Sequence, residues 1–585
     1  MELNLLLYLQ RLGDRAGPQL THTTVQHQFA GEAHSLALLS NRVLRLIAAV
    51  LLFFSCAWSI AEGETRGRVP PAAPELNTMP PKAQKLKLTW YFELTPRYFV
   101  GRNDINQGFV DPQTNTLDRR HFLSPSIDTE YGSVYIATEQ TLAYALGHQT
   151  GQINLMLDTG EIYRHTASEL NPNTEQVTSR SEWQTNGQSL ADEFHSTYFV
   201  RKLAVTHSLD KDRHVSFTVG KGNPIVGNGL VYNDYSPLAS VAFDSQKKWA
   251  HGVRLEGMIV SVTNDIQPTA TTISQVQLTF RTPSAGIWHL MGAYFNDQNQ
   301  NLANVFKQWL TTAAAVTARS RSALYAGRPG LFDRTVELRS AGHVNWVGGG
   351  YDQSWPSGHR LWLNIYLSRG SGNVTLDATR FNRILRRTSR RLNQQQELDQ
   401  RFFSLDLAGW AFQGGADIYL VRDWYLSPFC VGISGDDGLD VFLESSADSR
   451  ARKTFRGFLG VVPYLDQTNI FFNGGLGHHF SSRTMSLSGL AGRGVLAAGF
   501  SASGSLWRDL SYQGGPAFLR AMHKGPLASG KNYGLEINQS LTYSLRPELT
   551  LSLQYDLLRT GDFFIENAWN SQTTVQMSYA PTNGH

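Results

Sequence analysis

The stretch YGLEINQSLTYSLRPELTLSLQYDLL, residues 533–558, carries two runs of strict apolar and polar alternation hinged on Pro547. Leu535, Ile537, Leu541, Tyr543 and Leu545 fall on one side of the first run; Glu536, Asn538, Ser540 and Thr542 fall on the other. The second run repeats the pattern, with Thr550, Ser552, Gln554 and Asp556 as its polar set. Successive side chains of a strand point to opposite faces, so each run reads as a strand with one apolar and one wet face. Leu535 to Leu545 and Leu549 to Leu557 are each long enough for a tilted strand to cross a bilayer, and Pro547 suits the minimal turn between them. Taken alone, this hairpin fits a soluble sandwich equally well. Gln539 sits awkwardly on the face that would meet lipid.

Recurrence favours lipid. The same alternation appears in KLKLTWYFEL (85–94), QINLMLDT (152–159), HVSFTVGK (214–221), GVRLEGMIV (252–260) and SQVQLTF (274–280), and continues in RTVELRS (334–340) and RLWLNIYLS (360–368). It returns in FSLDLAGW (403–410), GADIYLV (415–421), YLSPFCVGI (425–433) and TTVQMSY (573–579). Connections alternate between tight ones such as SLRPEL and long ones such as 296–330, the asymmetry of short periplasmic turns and long external loops. The pattern predicts an all-β chain: an antiparallel up-and-down transmembrane barrel of about 16 to 18 strands with long external loops. Composition agrees. Of 585 residues only 17% are charged and 41% hydrophobic, while 11% are aromatic and 52 are glycine; lipid-facing residues alternating with small polar ones, plus aromatic girdles, produce such usage. The net charge of +4 gives no global reason to expect a nucleic-acid partner.

Arg42 and Arg45 precede the apolar run LIAAVLLFFSCA (46–57), and Ser59 and Ala61 have the spacing of a cleavage site. About a dozen apolar residues fall short of the roughly 20 that a spanning helix needs, so 41–61 is predicted to be a signal peptide. No methionine lies between Met1 and Met79, and 1–40 is expected to be untranslated or non-structural. Phe53, Phe54 and Ser55 make a poor lipobox before Cys56, which leaves Cys430 as the single mature cysteine and excludes an internal disulfide. Residues 62–84, rich in proline, read as a flexible segment, and 85–585 as the barrel. Two segments, 301–326 and 379–402, break the strand pattern with good helix formers and read as helices in loops or as a plug in the lumen.

The chain has no G-x-S-x-G, H-E-x-x-H, Walker or paired C-x-x-C motif. His478 and His479 could pair with Asp436, Asp437 or Asp440, but glycine-flanked loop residues read first as solvated. No catalytic residue, metal or cofactor is therefore expected. Candidates for lining a pore are Lys87, Lys221, Arg254, Glu256, Arg339 and Arg360, which fall on or beside polar strand faces, where mixed charge would orient charged solutes. Arg383, Arg386, Arg387 and Arg390 share one face if 379–402 is helical, a face suited to phosphate or carboxylate.

At VGKGNPIVGNGLVYNDY (219–235) and FCVGISGDDGLDVF (429–442) the sequence resembles the alginate-export family of outer-membrane porins. The matching residues are Gly220-Lys221-Gly222, Gly227-Asn228-Gly229 and Ser434-Gly435-Asp436. Lys221 stands where the family carries arginine, and Gly222 where it carries glutamine. The resemblance implies a monomeric outer-membrane barrel of about 18 strands that passes an anionic polysaccharide or smaller hydrophilic solute without energy input. Its surroundings would be outer-membrane lipid and lipopolysaccharide in a Gram-negative bacterium. A secreted β-rich carbohydrate-binding protein and an outer-membrane barrel enzyme remain as alternatives.

Overall fold

The computed structural model describes residues of the strands and many of their connections between Lys87 and Ala580; residues 1–86, the segments 103–128, 263–271, 298–336, 378–400, 437–451, 473–488 and 581–585, and several shorter stretches lie outside the description. The expected signal peptide, the proline-rich segment and the helical readings of 301–326 and 379–402 all fall outside it.

The strands, in chain order, begin with β1 Lys87–Arg102, β2 Thr129–Leu146, β3 Gln149–Asp158, β4 Ile162–Leu170, β5 Val177–Thr185 and β6 Gln188–Ser189. Next come β7 Phe199–Ser208, β8 Val215–Gly222, β9 Ile225–Val226, β10 Tyr232–Asn233, β11 Ser236–Asp244 and β12 Val253–Ser261. They continue with β13 Thr272–Arg281, β14 Gly286–Asp297, β15 Glu337–Ser354, β16 Arg360–Asp377, β17 Arg401–Tyr419 and β18 Tyr425–Ile433. The last six are β19 Arg452–Phe455, β20 Val495–Trp507, β21 Leu510–Arg520, β22 Asn532–Arg546, β23 Leu549–Thr560 and β24 Trp569–Tyr579.

Eighteen of these close into one antiparallel barrel. Each pairs with the next, and β24 returns to β1 through a register running from Leu94↔Tyr579 to Arg102↔Ser571. Closure leaves no barrel strand with an unpaired edge, the condition for strands to stand in hydrocarbon. The remaining short strands are additions. The lower part of β2 pairs with β3 and its upper part with β4, so the β4–β5 hairpin extends the sheet beyond the barrel. β19 adds to β17 in parallel, and β9 and β10 form a separate small hairpin. One end of the barrel carries turns as tight as 147–148, 508–509 and 547–548; the other carries spans such as 298–336 and 434–494. By that asymmetry the first end is periplasmic and the second external.

The polarity of the faces answers the question posed by residues 533–558. On β23, Leu551, Leu553 and Tyr555 are exposed, Leu553 at 44%, while Ser552, Gln554 and Asp556 are buried, Gln554 at 1%. A soluble sandwich would bury the leucines; here they form the outer surface and the polar groups turn inward. β22 behaves alike, with Leu535, Leu541, Tyr543 and Leu545 outward, and Gln539 shares that outward row next to Tyr555. Aromatic rings gather at the membrane boundaries, as amphipathic rings prefer. At the periplasmic end Phe280, Trp288 and Tyr351 meet across three neighbouring strands, with centroids 6.4 and 4.5 Å apart. Tyr294 and Trp569 lie toward the external end.

Candidate functional site

The interior is narrowed by two connections that turn inward from the external end. The first, 223–235, follows β8 and holds the β9–β10 hairpin around a short turn at Gly227–Gly229. Gly227 has φ +62°, and a Cβ there would lie 2.8 Å from Val231 Cγ2. A side chain is disfavoured in this left-handed conformation by about 1–2 kcal/mol, so Gly227→Ala is expected to lower thermal stability by that order, read as loss of the compact band in heat-modifiable gel migration.

Asn228, also left-handed at φ 48°, reaches the barrel wall. Its amide nitrogen donates to Asn364 Oδ1 at 2.5 Å and lies 3.0 Å from His289 Nε2, which accepts. Tyr366 OH lies 3.3 Å from the same His289 nitrogen. Gln413 Nε2 donates to the Asn228 carbonyl at 3.4 Å. Strand register explains the meeting: Arg254, Thr279, His289, Gly350, Asn364 and Gln413 form one inward row over β12 to β17. Gly350 is required in this row, because a Cβ would lie 2.0 Å from Asn364 Oδ1 and 2.5 Å from His289 Cε1.

The second inward connection lies within 434–494. Trp346, fully buried on β15, donates its indole N–H to the Leu459 carbonyl at 2.7 Å. Val461 N–H donates to the Val231 carbonyl at 2.8 Å, which ties the two inward segments together. Farther along, Glu536 of β22 accepts three consecutive backbone N–H groups, from Asn469 at 2.8 Å, Ile470 at 2.7 Å and Phe471 at 3.0 Å. The Asn469 side chain donates to Asp556 Oδ1 at 2.7 Å. Phe471, Phe472, Tyr533, Phe563 and Phe564 form a chain of ring contacts with centroids 4.4 to 5.4 Å apart. The segment is thus fastened by a carboxyl group, an indole and an aromatic cluster, and it holds a fixed position across the lumen.

Charge on the inner wall is mixed. Arg201 pairs with Asp158 at 2.6 Å and Lys202 with Glu139 at 2.8 Å; Arg97, buried on β1, donates to Gln576 Oε1 across the seam at 3.0 Å. Of the residues singled out in the sequence, Arg254 and Glu256 both point inward and bridge each other at 2.8 Å. Arg360 lies at the periplasmic end and donates to Asp352, with Nε 3.1 Å from Oδ1.

Lys221 is not brought to this wall. It shares its row with exposed Val219 and is register-paired with Leu203 and Pro237, so it stands on the outward face near the external end of β8. A polar residue in an alternating strand was read as inward, but at a strand end the outward row reaches headgroup level, where lysine is tolerated. Lys87 and Arg339 belong to β1 and β15, opposite Ala143 and Thr375, with side chains outside the described residues. Arg383, Arg386, Arg387 and Arg390 lie outside them altogether, as do His478, His479, Asp437 and Asp440. Asp436 is occupied structurally, accepting the Arg456 N–H at 2.9 Å.

The chain is a closed antiparallel β-barrel whose apolar residues face outward and polar residues inward. Several solved structures resemble it. OccK9 (OpdG) of Pseudomonas aeruginosa aligns with TM-score 0.42 at 11% identity, covering 84% of this chain and 98% of that one. OpdK of the same organism, solved with vanillate, aligns at 0.39 and 12% identity over 84% and 98%; Pseudomonas putida OprB aligns at 0.39 and 9% over 84% and 94%. No protein-family model and no curated protein sequence matches the chain.

Sequence reading missed the inward segments. A usable signal was present in Ile470-Phe471-Phe472, an unbroken apolar run between Asn469 and Asn473 in a chain whose strands alternate, which points to burial on all sides. Glu536 and Asp556 were expected to face a wet lumen. They do turn inward, yet both are fully buried, because Asn469 to Phe471 cover Glu536 and Asn469 reaches Asp556.

Proposed function

We propose that the protein is a passive channel through which hydrophilic solutes cross the outer membrane past a fixed constriction. The observation that carries this reading is the closed barrel with inverted polarity whose inner wall is polar and whose lumen is narrowed, not lined at random, by two fastened segments. A chain built only as an anchor has no need of a polar interior held at set positions.

The resemblance to the alginate-export family supports the same reading and adds a finer one, export of an anionic polysaccharide by a monomeric barrel. Of the residues that carry that resemblance, Gly227-Asn228-Gly229 forms the turn of the first inward segment and Ser434-Gly435-Asp436 directly follows β18. On the other side of the balance, Arg201, Lys202, Arg254 and Arg360 each have a carboxylate partner. Paired cations hold a small solute by orientation more than by net attraction, which favours weak charge selectivity.

Reconstitution into planar bilayers tests both levels. Discrete ohmic conductance steps are the expected result, and folded, inserted protein that gives no steps would overturn the channel reading. Block by anionic oligosaccharides but not by neutral ones of equal length would support the polysaccharide cargo; equal block by both would remove it.

A further inference from the structure

Polar side chains are scarce on the outward face, and two arginines stand on it at the external end. Arg520 ends β21, next to buried Leu519 and two residues after outward Phe518. Arg559 stands near the end of β23 between buried Leu558 and Thr560, and is register-paired with Leu535 and Trp569. Leu535, Phe518 and Trp569 are themselves exposed, Trp569 at 55%, so the row to which Arg559 belongs faces lipid. Both arginines are exposed.

Neither has an acidic partner among the described residues. Arg559 lies over the Trp569 ring, with its guanidinium carbon 5.8 Å from the centroid. The acid that follows it in the chain, Asp562, accepts the Asn532 N–H at 2.7 Å. Lys524, exposed four positions beyond Arg520, adds a third cation to this rim. On the inner wall Arg201, Lys202 and Arg254 are matched by carboxylates, in contrast to Arg520 and Arg559 on the outward rim of β21 and β23.

An unpaired guanidinium at the edge of hydrocarbon is costly unless an anion meets it, and its planar fork fits phosphate in two-pronged fashion. The rings and leucine beside them offer an apolar bed for acyl chains, with Trp569 at the depth that tryptophan favours. We propose that the outer rim of β21–β23 binds the phosphate groups of the phosphorylated glycolipid of the outer leaflet, the lipid A part of lipopolysaccharide, through Arg520 and Arg559. The site belongs to the outer surface and is independent of whether the barrel conducts.

The test is glycolipid carried by the full-length barrel purified in detergent from outer membranes. The Arg520→Gln/Arg559→Gln double variant should retain several-fold less copurifying lipopolysaccharide phosphate than the unaltered protein. Arg546→Gln, an exposed arginine at the periplasmic end of β22, should retain the same amount as the unaltered protein. Delipidated barrel should rebind lipid A, and rebind dephosphorylated lipid A markedly less. Heat-modifiable migration confirms that each variant is folded, and if the double variant is not, each single variant is compared with its own lysine replacement, which keeps charge but loses the fork. Equal retention by the arginine variants, or equal binding of phosphorylated and dephosphorylated lipid, would overturn the proposal.

Discussion

Replacing Glu536 with alanine is expected to raise the single-channel conductance of the reconstituted barrel and to make it noisy. The N–H groups of Asn469, Ile470 and Phe471 all reach this one carboxyl group, that of Asn469 being shared with Asn538 Oδ1 at 3.3 Å. A buried N–H that loses its acceptor costs about 1–3 kcal/mol, so the segment gains more by moving toward water than by staying. The aromatic contacts of Phe471 with Tyr533 remain, which is why fluctuation is expected and not complete withdrawal. The barrel itself should persist, because Glu536 holds its place in the sheet through backbone pairing with Ala517 and Leu558. Glu536→Gln keeps one acceptor oxygen and should fall between the two. Conductance and noise identical to those of the unaltered protein would show that the 467–472 segment does not limit the pore.

Leu553→Arg is expected to destabilise the folded barrel by roughly 2–4 kcal/mol, the cost of a cation near the middle of the lipid face. Leu553 lies mid-strand in β23, and its register partners Leu541 and Val575 are exposed with it. Denaturant unfolding from lipid vesicles measures the cost. Leu553 in a soluble protein at the same exposure would tolerate arginine within a few tenths of a kcal/mol, and that outcome would remove the lipid assignment of the whole outward row. The same substitution at Leu545, next to the periplasmic turn, should cost far less because the penalty falls toward the interface.

The barrel was legible because its defining signal is local. Each of Leu549 to Leu557 declares its side through its immediate neighbours, and thirteen such runs with alternating short and long connections leave few architectures. The interior was less legible because its structure is built by contacts distant in the chain. Arg254 and Glu256 could be placed inward from alternation alone, and their pairing follows from being two residues apart on one face. Glu536 could be placed inward but not covered, since its cover comes from residues more than sixty positions away. Lys221 failed for a third reason: alternation was read from polarity, and at the strand end polarity ceases to distinguish lumen from headgroup. The segments 223–235 and 467–472 have no period at all, so a search for periods passes over them.

The seam between β1 and β24 has a consequence for how the molecule can be made. Arg97 and Gln576 meet across it although they lie 479 positions apart, and the other sixteen barrel strands are enclosed between them in sequence. No subset of consecutive strands can satisfy both borders of the sheet, so every shorter, partly assembled form presents two raw backbone edges to its surroundings. Nativeness is therefore reached in a single final event, the arrival of β24 beside β1, and any factor that shepherds this chain into the membrane must shield those edges until that moment.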